Sequence, residues 1–156
     1  MIKILFICHG NICRSPMAEF LLKHMVAQQG LSDRFRIASA ATSREEIGNP
    51  VYPPARKKLV ELGISTAGKV AVQMTKKDYD DYDYIIVMDE NNMKNALRLL
   101  GMNRREAVKL HKLLDFADEH GDIADPWYTG DFDTAFSDIH RGCCGLLEYL
   151  KKEGKL

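Results

Sequence analysis

IKILFICHGNICRSPMAEF, residues 2–20, contains the change of periodicity that sets the fold. Residues 2–8 are short, β-branched and apolar, as in a strand buried on both faces of a parallel sheet, and Gly10 ends them. A helical pattern begins at Ser15, with Pro16 in the first turn, where a missing N–H costs nothing. It continues through Phe20, Leu21, Leu22, Met25 and Val26 to Gly30. CHGNICRSP, residues 8–16, therefore lies where a strand gives way to a helix.

The same alternation continues outward. FRIASAA (35–41) reads as a second strand, followed by a polar loop through GNPVYPP. A helix is expected from Ala55 to Leu62, ended by Gly63, and the stretch from Ile64 to Thr75 has no clear period. YDYIIVMD (82–89) reads as the next strand, with a helix from Asn91 to Leu100 ended by Gly101. AVKLH (107–111) reads as the fourth strand, and a long loop from Asp115 to Gly130, containing ADPWYTGD, leads into a last helix from Asp133 to Lys151. Strands alternating with helices predict an α/β fold: one domain over residues 1–156, a three-layer sandwich with a four-stranded parallel sheet and helices on both faces. Ligands of such sheets bind beyond the carboxyl ends of the strands, where residues 8–15 fall.

Composition narrows the class. The 156 residues are 46% hydrophobic and 28% charged, ordinary values for a packed chain of this length. Lys plus Arg and Asp plus Glu number 22 each, so the overall field offers nothing to nucleic acid or to an anionic membrane, and any anion site must be local. The apolar runs ILFIC (4–8) and YIIVM (84–88) are too short for a signal-peptide core or a membrane span. The expected compartment is the cytoplasm, where the four cysteines stay reduced and form no disulfide framework. Cys143 falls on the apolar face of the last helix, with Phe136, Ile139 and Leu150, and reads as core.

The junction itself suggests anion chemistry. A helix N-terminus offers unpaired N–H groups and a partial positive charge. Gly10 permits an inward bend and Asn11 tolerates left-handed geometry, so successive amides can converge on one anion. Arg14 adds a planar fork that can hold two phosphate oxygens. Cys8, beside Arg14 and the helix terminus, is expected to have a lowered pKa and to act as a nucleophile. The loop lacks the GxxxxGK[ST] pattern, which disfavours a nucleotide triphosphatase.

CHGNICRSPMAE resembles the signature of the low-molecular-weight protein tyrosine phosphatases. The likeness continues in order through SAATS (39–43), GNP (48–50), YIIVMDENN (84–92) and DPW (125–127). The resemblance implies hydrolysis of phosphotyrosine in proteins, and of small aryl phosphates, through a phosphocysteine. It implies Cys8 as nucleophile and Arg14 as the group that binds the phosphoryl oxygens. Ser15 would hydrogen-bond the thiolate, and Asn11 would shape the loop. Cys13 would be a second thiol able to bridge to Cys8 under oxidation. His9, Gly10 and Ile12 complete the phosphate-binding loop, with His9 on its rim. Asp125, presented by Pro126, would protonate the leaving oxygen and then activate water. Trp127 and Tyr128 would wall the pocket. No cofactor or metal is expected, since the histidines show no ligand spacing with one another or with the cysteines; inorganic phosphate or a similar oxyanion would occupy the site.

The chain departs from the family pattern at four positions. Members usually have His and Arg where Lys69 and Val72 fall, and often Asp and Arg where Tyr52 and Pro54 fall. Two relatives on the same fold remain as alternatives. Thiol-coupled arsenate reductases need further relay cysteines, whereas the distal thiols here, Cys143 and Cys144, lie in a helix. Protein-arginine phosphatases carry threonine where this chain has Ile12. A non-catalytic phosphotyrosine-binding module would lack the nucleophile or the acid, and neither is missing.

Overall fold

The computed structural model describes residues 1–156. Strand β1 (Ile2–Cys8) pairs in parallel with β2 (Phe35–Ala41), in a register running from Ile2 opposite Phe35 to Cys8 opposite Ala41. On its other side lies β3 (Tyr84–Val87), and β4 (Leu110–Lys112) continues beyond it, giving the parallel order β2-β1-β3-β4. Alternate residues of a strand face opposite ways, so β1 serves two cores. Ile4, Phe6 and Cys8 join one apolar cluster; Leu5 and Ile7 join the other.

The first cluster is covered by α1 (Arg14–Gln28), α2 (Pro53–Val60) and, much later in the chain, the 21-residue helix Phe132–Lys152. A short helix, α3 (Lys76–Asp81), and then α4 (Glu90–Leu100) follow on the other side, where Met93, Ala96 and Leu100 meet Leu5, Ile7, Ile85 and Val87. One turn of helix, α5 (Pro126–Thr129), precedes the long C-terminal helix, α6. The sheet is thus sandwiched between two helical layers, as its pattern predicts.

Where element boundaries differ from the sequence reading, local hydrogen bonds explain the shift. Helix α2 starts at Pro53 rather than Ala55, because Pro53 and Pro54 both fall in the first turn, where no N–H is required. The stretch 64–75 has no period because it is held by isolated bridges, Ala41 to Gln73 and Pro50 to Val70. Helix α3 is too short to show amphipathic periodicity; its signal is a capping box, in which Thr75 and Asp78 each accept the other's backbone N–H. The fourth strand is Leu110–Lys112 rather than 107–111, since the Leu110 N–H donates to the Ala107 carbonyl and turns those residues away from the ladder. The expected loop 115–130 is also partly regular. Its start belongs to a 3-10 turn, Leu113–Ala117, that lies against α6 at Gly142 and Gly145, where a Cβ would collide with Leu113 and with the Phe116 backbone.

Candidate active site

Cys8 ends β1 and is 3% exposed. Its Sγ lies 3.0 Å from Ser15 Oγ and 3.4 Å from the Ser15 backbone nitrogen, whose N–H points at it. Helix α1 has no side-chain cap at its N-terminus, so this early amide is directed at sulfur instead. The left-handed residue of the loop is Asn11, at φ 59°, as its residue type allows, while Gly10, where the chain bends, takes no positive φ. What Gly10 supplies is closeness: a Cβ there would stand 3.3 Å from Glu46 Cγ.

Asn11 is fixed by its own amide. Nδ2 donates to Ser15 Oγ at 2.7 Å and to Ser39 Oγ at 2.9 Å, and Oδ1 accepts from the Val72 N–H at 3.2 Å. The Val72 contribution comes from backbone, which explains why a valine serves where the family usually has arginine. Ser39 in turn donates to Glu19 at 2.5 Å, and Glu19, 4% exposed, is also held by Lys23. Lys69 Nζ donates to the Ser39 carbonyl at 2.9 Å and sits 3.6 Å from Glu19. Burial pulls the Lys69 pKa below its ordinary value, and Glu19 opposes that shift. A lysine amine thus stands behind the cradle, where the family usually has histidine.

Arg14 is 2% exposed, and three hydrogen bonds orient its guanidinium. Nη1 donates to Asp89 Oδ2 and to the Ile123 carbonyl, both at 2.7 Å, and Nη2 reaches Asp125 Oδ2 at 3.3 Å. Burial alone would lower the pKa of the guanidinium, but Cys8, Asp89 and Asp125 outweigh it and hold the group above its ordinary value. Asp89 was not singled out by its sequence, although it stands two residues past the end of the third strand, at the edge where ligands of such sheets bind. It also caps α4, accepting the Asn92 N–H at 2.7 Å.

Asp125 caps α5 in the same way, with Oδ1 accepting the Trp127 N–H at 3.0 Å, which leaves Oδ2 facing Arg14. Above the loop lies a cavity of about 100 Å³. The structure brings nearly all the expected site residues to it: Cys8, His9, Gly10, Ile12, Cys13, Arg14, Asp125, Trp127 and Tyr128 line it, and Asn11 and Ser15 buttress it from below. Sequence reading missed Glu45 on this rim, which takes the His9 Nε2 contact at 2.8 Å. Burial, and then the charges of Cys8 and Asp125, push the Cys13 thiol up to about 12. Cys143 is fully buried in the core as expected, and Cys144 is exposed. No group of three or more His, Cys, Asp or Glu side chains is arranged to hold a metal ion, and no helix is long and apolar enough to cross a membrane.

A cysteine and an arginine joined at a helix N-terminus beyond a parallel sheet, with a carboxylate opposite, define the cysteine-dependent phosphatase class. Residues 3–156 match the family model described as low molecular weight phosphotyrosine protein phosphatase, and the chain belongs to that family. It is 39% identical to the Bacillus subtilis low molecular weight protein-tyrosine-phosphatase YfkJ over 158 aligned positions covering all of both chains. The crystal structure of YfkJ superposes with a TM-score of 0.92, covering 98% of this chain and 96% of that one. The human low molecular weight phosphotyrosine protein phosphatase is 38% identical over 150 positions, 94% of each chain. A Drosophila arginine phosphatase shares the fold at 28% identity and a TM-score of 0.86, covering 96% of this chain and 98% of that one.

Proposed function

We propose that this protein, a single domain spanning residues 1–156, hydrolyses phosphotyrosine in proteins, and small aryl phosphates, by two displacements at phosphorus. The observation that carries this reading is the placement of Cys8 Sγ under the cavity, with the Ser15 N–H and hydroxyl on it and the guanidinium of Arg14 beside it. Sulfur attacks phosphorus as the thiolate, forming a P–S bond while the P–O bond to the aryl group breaks, and the departing phenolate takes the proton of Asp125. Water then attacks phosphorus, gives a proton to the Asp125 carboxylate, and releases phosphate and the Cys8 thiolate. Arg14 and the loop amides hold the phosphoryl oxygens, whose charge is spread in both transition states.

Trp127 and Tyr128, both exposed on the rim, offer aromatic faces to a phenyl ring. Nothing in the two steps calls for a metal, and four unpaired thiols suit the reducing cytoplasm. Ile12, which lines the pocket where protein-arginine phosphatases carry threonine, favours an aryl phosphate over phosphoarginine. Trapping the phosphoenzyme in a single turnover tests the reading. A thiophosphate bond located on Cys8, the loss of both that bond and activity in Cys8→Ser, and parental activity unaffected by EDTA are the expected results. Turnover by Cys8→Ser, or phosphoarginine hydrolysed faster than phosphotyrosine, overturns it.

A further inference from the structure

Tyr52 lies outside the cavity wall, yet it touches both halves of the site. Its backbone N–H donates to the Ile12 carbonyl at 2.8 Å, which ties it to the phosphate-binding loop. Its ring lies 4.8 Å from that of Trp127, tilted by 58°, and stacks on Phe132 at 6.1 Å. Trp127 is two residues past Asp125 and donates its N–H to that carboxylate. Phe132 begins α6, just beyond α5.

Helix α5 is a single turn of four residues, and an isolated turn does not hold itself in water, because its few hydrogen bonds do not offset the ordering of the chain. Packing must fix it. Pro126 is buried, but Trp127 is half exposed, and its ring packs against that of Tyr52. We propose that Tyr52 is a positioning residue for the general acid: its ring fixes Trp127, and through it the capped turn that aims Asp125 at the leaving oxygen. The inference rests on the assignment of Asp125 as acid, and it gives a role to an aromatic residue where the family often has aspartate.

The test uses leaving groups of different basicity. A poor leaving group needs the proton of the acid more than a good one does, so misplacing the acid steepens the fall of log kcat/KM with the pKa of the phenol. Tyr52→Ala, Tyr52→Phe and Asp125→Ala are compared with the parent chain on aryl phosphates from p-nitrophenyl to phenyl. For Tyr52→Ala the expected loss in kcat/KM is roughly tenfold on phenyl phosphate and much smaller on p-nitrophenyl phosphate, a fraction of the ~10²–10⁴ that general acids supply. Tyr52→Phe keeps the parental slope, and competitive inhibition by inorganic phosphate is unchanged, because the tie to Ile12 is made by backbone. Trp127 is the only tryptophan in the chain, so acrylamide quenching reads the contact independently of activity and should rise in Tyr52→Ala alone of the two Tyr52 variants. An equal loss for every leaving group, the pattern of a simple pocket wall, overturns the inference, as does unchanged quenching. If Asp125→Ala leaves the slope unaltered, the acid assignment itself fails; if it steepens the slope and Tyr52→Ala does not, only the role of Tyr52 falls.

Discussion

Arg14 and Asp89 form a buried ion pair: Nη1 and Oδ2 are 2.7 Å apart, the guanidinium is 2% exposed, and the two residues come from opposite sides of the point where the sheet order reverses. The pair holds the fork in one orientation without occupying all of its donors. Arg14→Lys replaces the fork with a point charge and should lower kcat/KM on an aryl phosphate by about 10²–10³. Asp89→Asn keeps an N-capping side chain but leaves the buried guanidinium one counter-charge short, so kcat/KM and the melting temperature should both fall. Asp89→Ala should in addition lose about 1 kcal/mol of stability, read by thermal melting.

Asn11 combines a left-handed backbone with three side-chain hydrogen bonds, and two substitutions separate these contributions. Asn11→Gly accepts the conformation but loses the bonds; the expected result is a fall in kcat/KM of about tenfold, corresponding to about one net hydrogen bond. Asn11→Ala loses the bonds and adds about 1–2 kcal/mol of backbone strain, visible as a further drop in melting temperature.

Cys13 is 5% exposed, and its thiol is pushed up to about 12. It therefore remains protonated at pH 8, and iodoacetamide at that pH should spare it. Peptide mass spectrometry should find carbamidomethyl on the exposed Cys144 and none on Cys13.

His111 lies against Phe116 and Tyr84, with ring centroids 5.3 and 5.9 Å away. Burial lowers its pKa from the ordinary 6.5, with Asp115 opposing the shift. Below about pH 6.5 the unfolded chain therefore binds a proton that the folded chain refuses, and stability falls as pH drops from there toward the folded pKa, then levels off. His111→Phe removes this penalty. Its stability relative to the parent, from urea melts, should improve between pH 8 and pH 5, by at most about 1.4 kcal/mol per pH unit for one proton.

Gly145 sits where α6 meets the 3-10 turn, and a Cβ there would overlap the Phe116 carbonyl. The obstacle is backbone and cannot rotate aside. Gly145→Ala should cost about 1–3 kcal/mol, lowering the melting temperature by several degrees while kcat/KM below the transition is unchanged.

The strands β1 and β2 are legible in the sequence to the residue, β1 as an apolar run interrupted only by Lys3, and β2 as the stretch FRIASAA, in which Phe35 and Ile37 are buried and Arg36 between them is exposed. Helix α3 and the true start of β4 are not, since they are fixed by a capping box and a turn, which carry no periodicity. Within the site, Cys8, Arg14 and Asp125 announce themselves through local motifs. Asp89, Glu45 and Lys69 do not: each acts through a partner 30 to 75 residues away, Arg14, His9 and Ser39 being 75, 36 and 30 apart from them respectively. Such pairings exist only once the sheet order brings strand ends together. Gly10 and Asn11 follow from residue type alone, the chain bending at the glycine and taking its left-handed conformation at the asparagine.

The three partners of the Arg14 guanidinium lie 75, 109 and 111 positions further along the polypeptide. Synthesis proceeds from the N-terminus, so the attacking sulfur leaves the ribosome early and waits for most of the chain before its anion clamp can close. A nascent fragment ending before residue 89 contains the reactive loop but none of the clamp's three partners, and one ending before residue 125 still lacks the proton source, so activity should arise only once Asp125 has been made and placed.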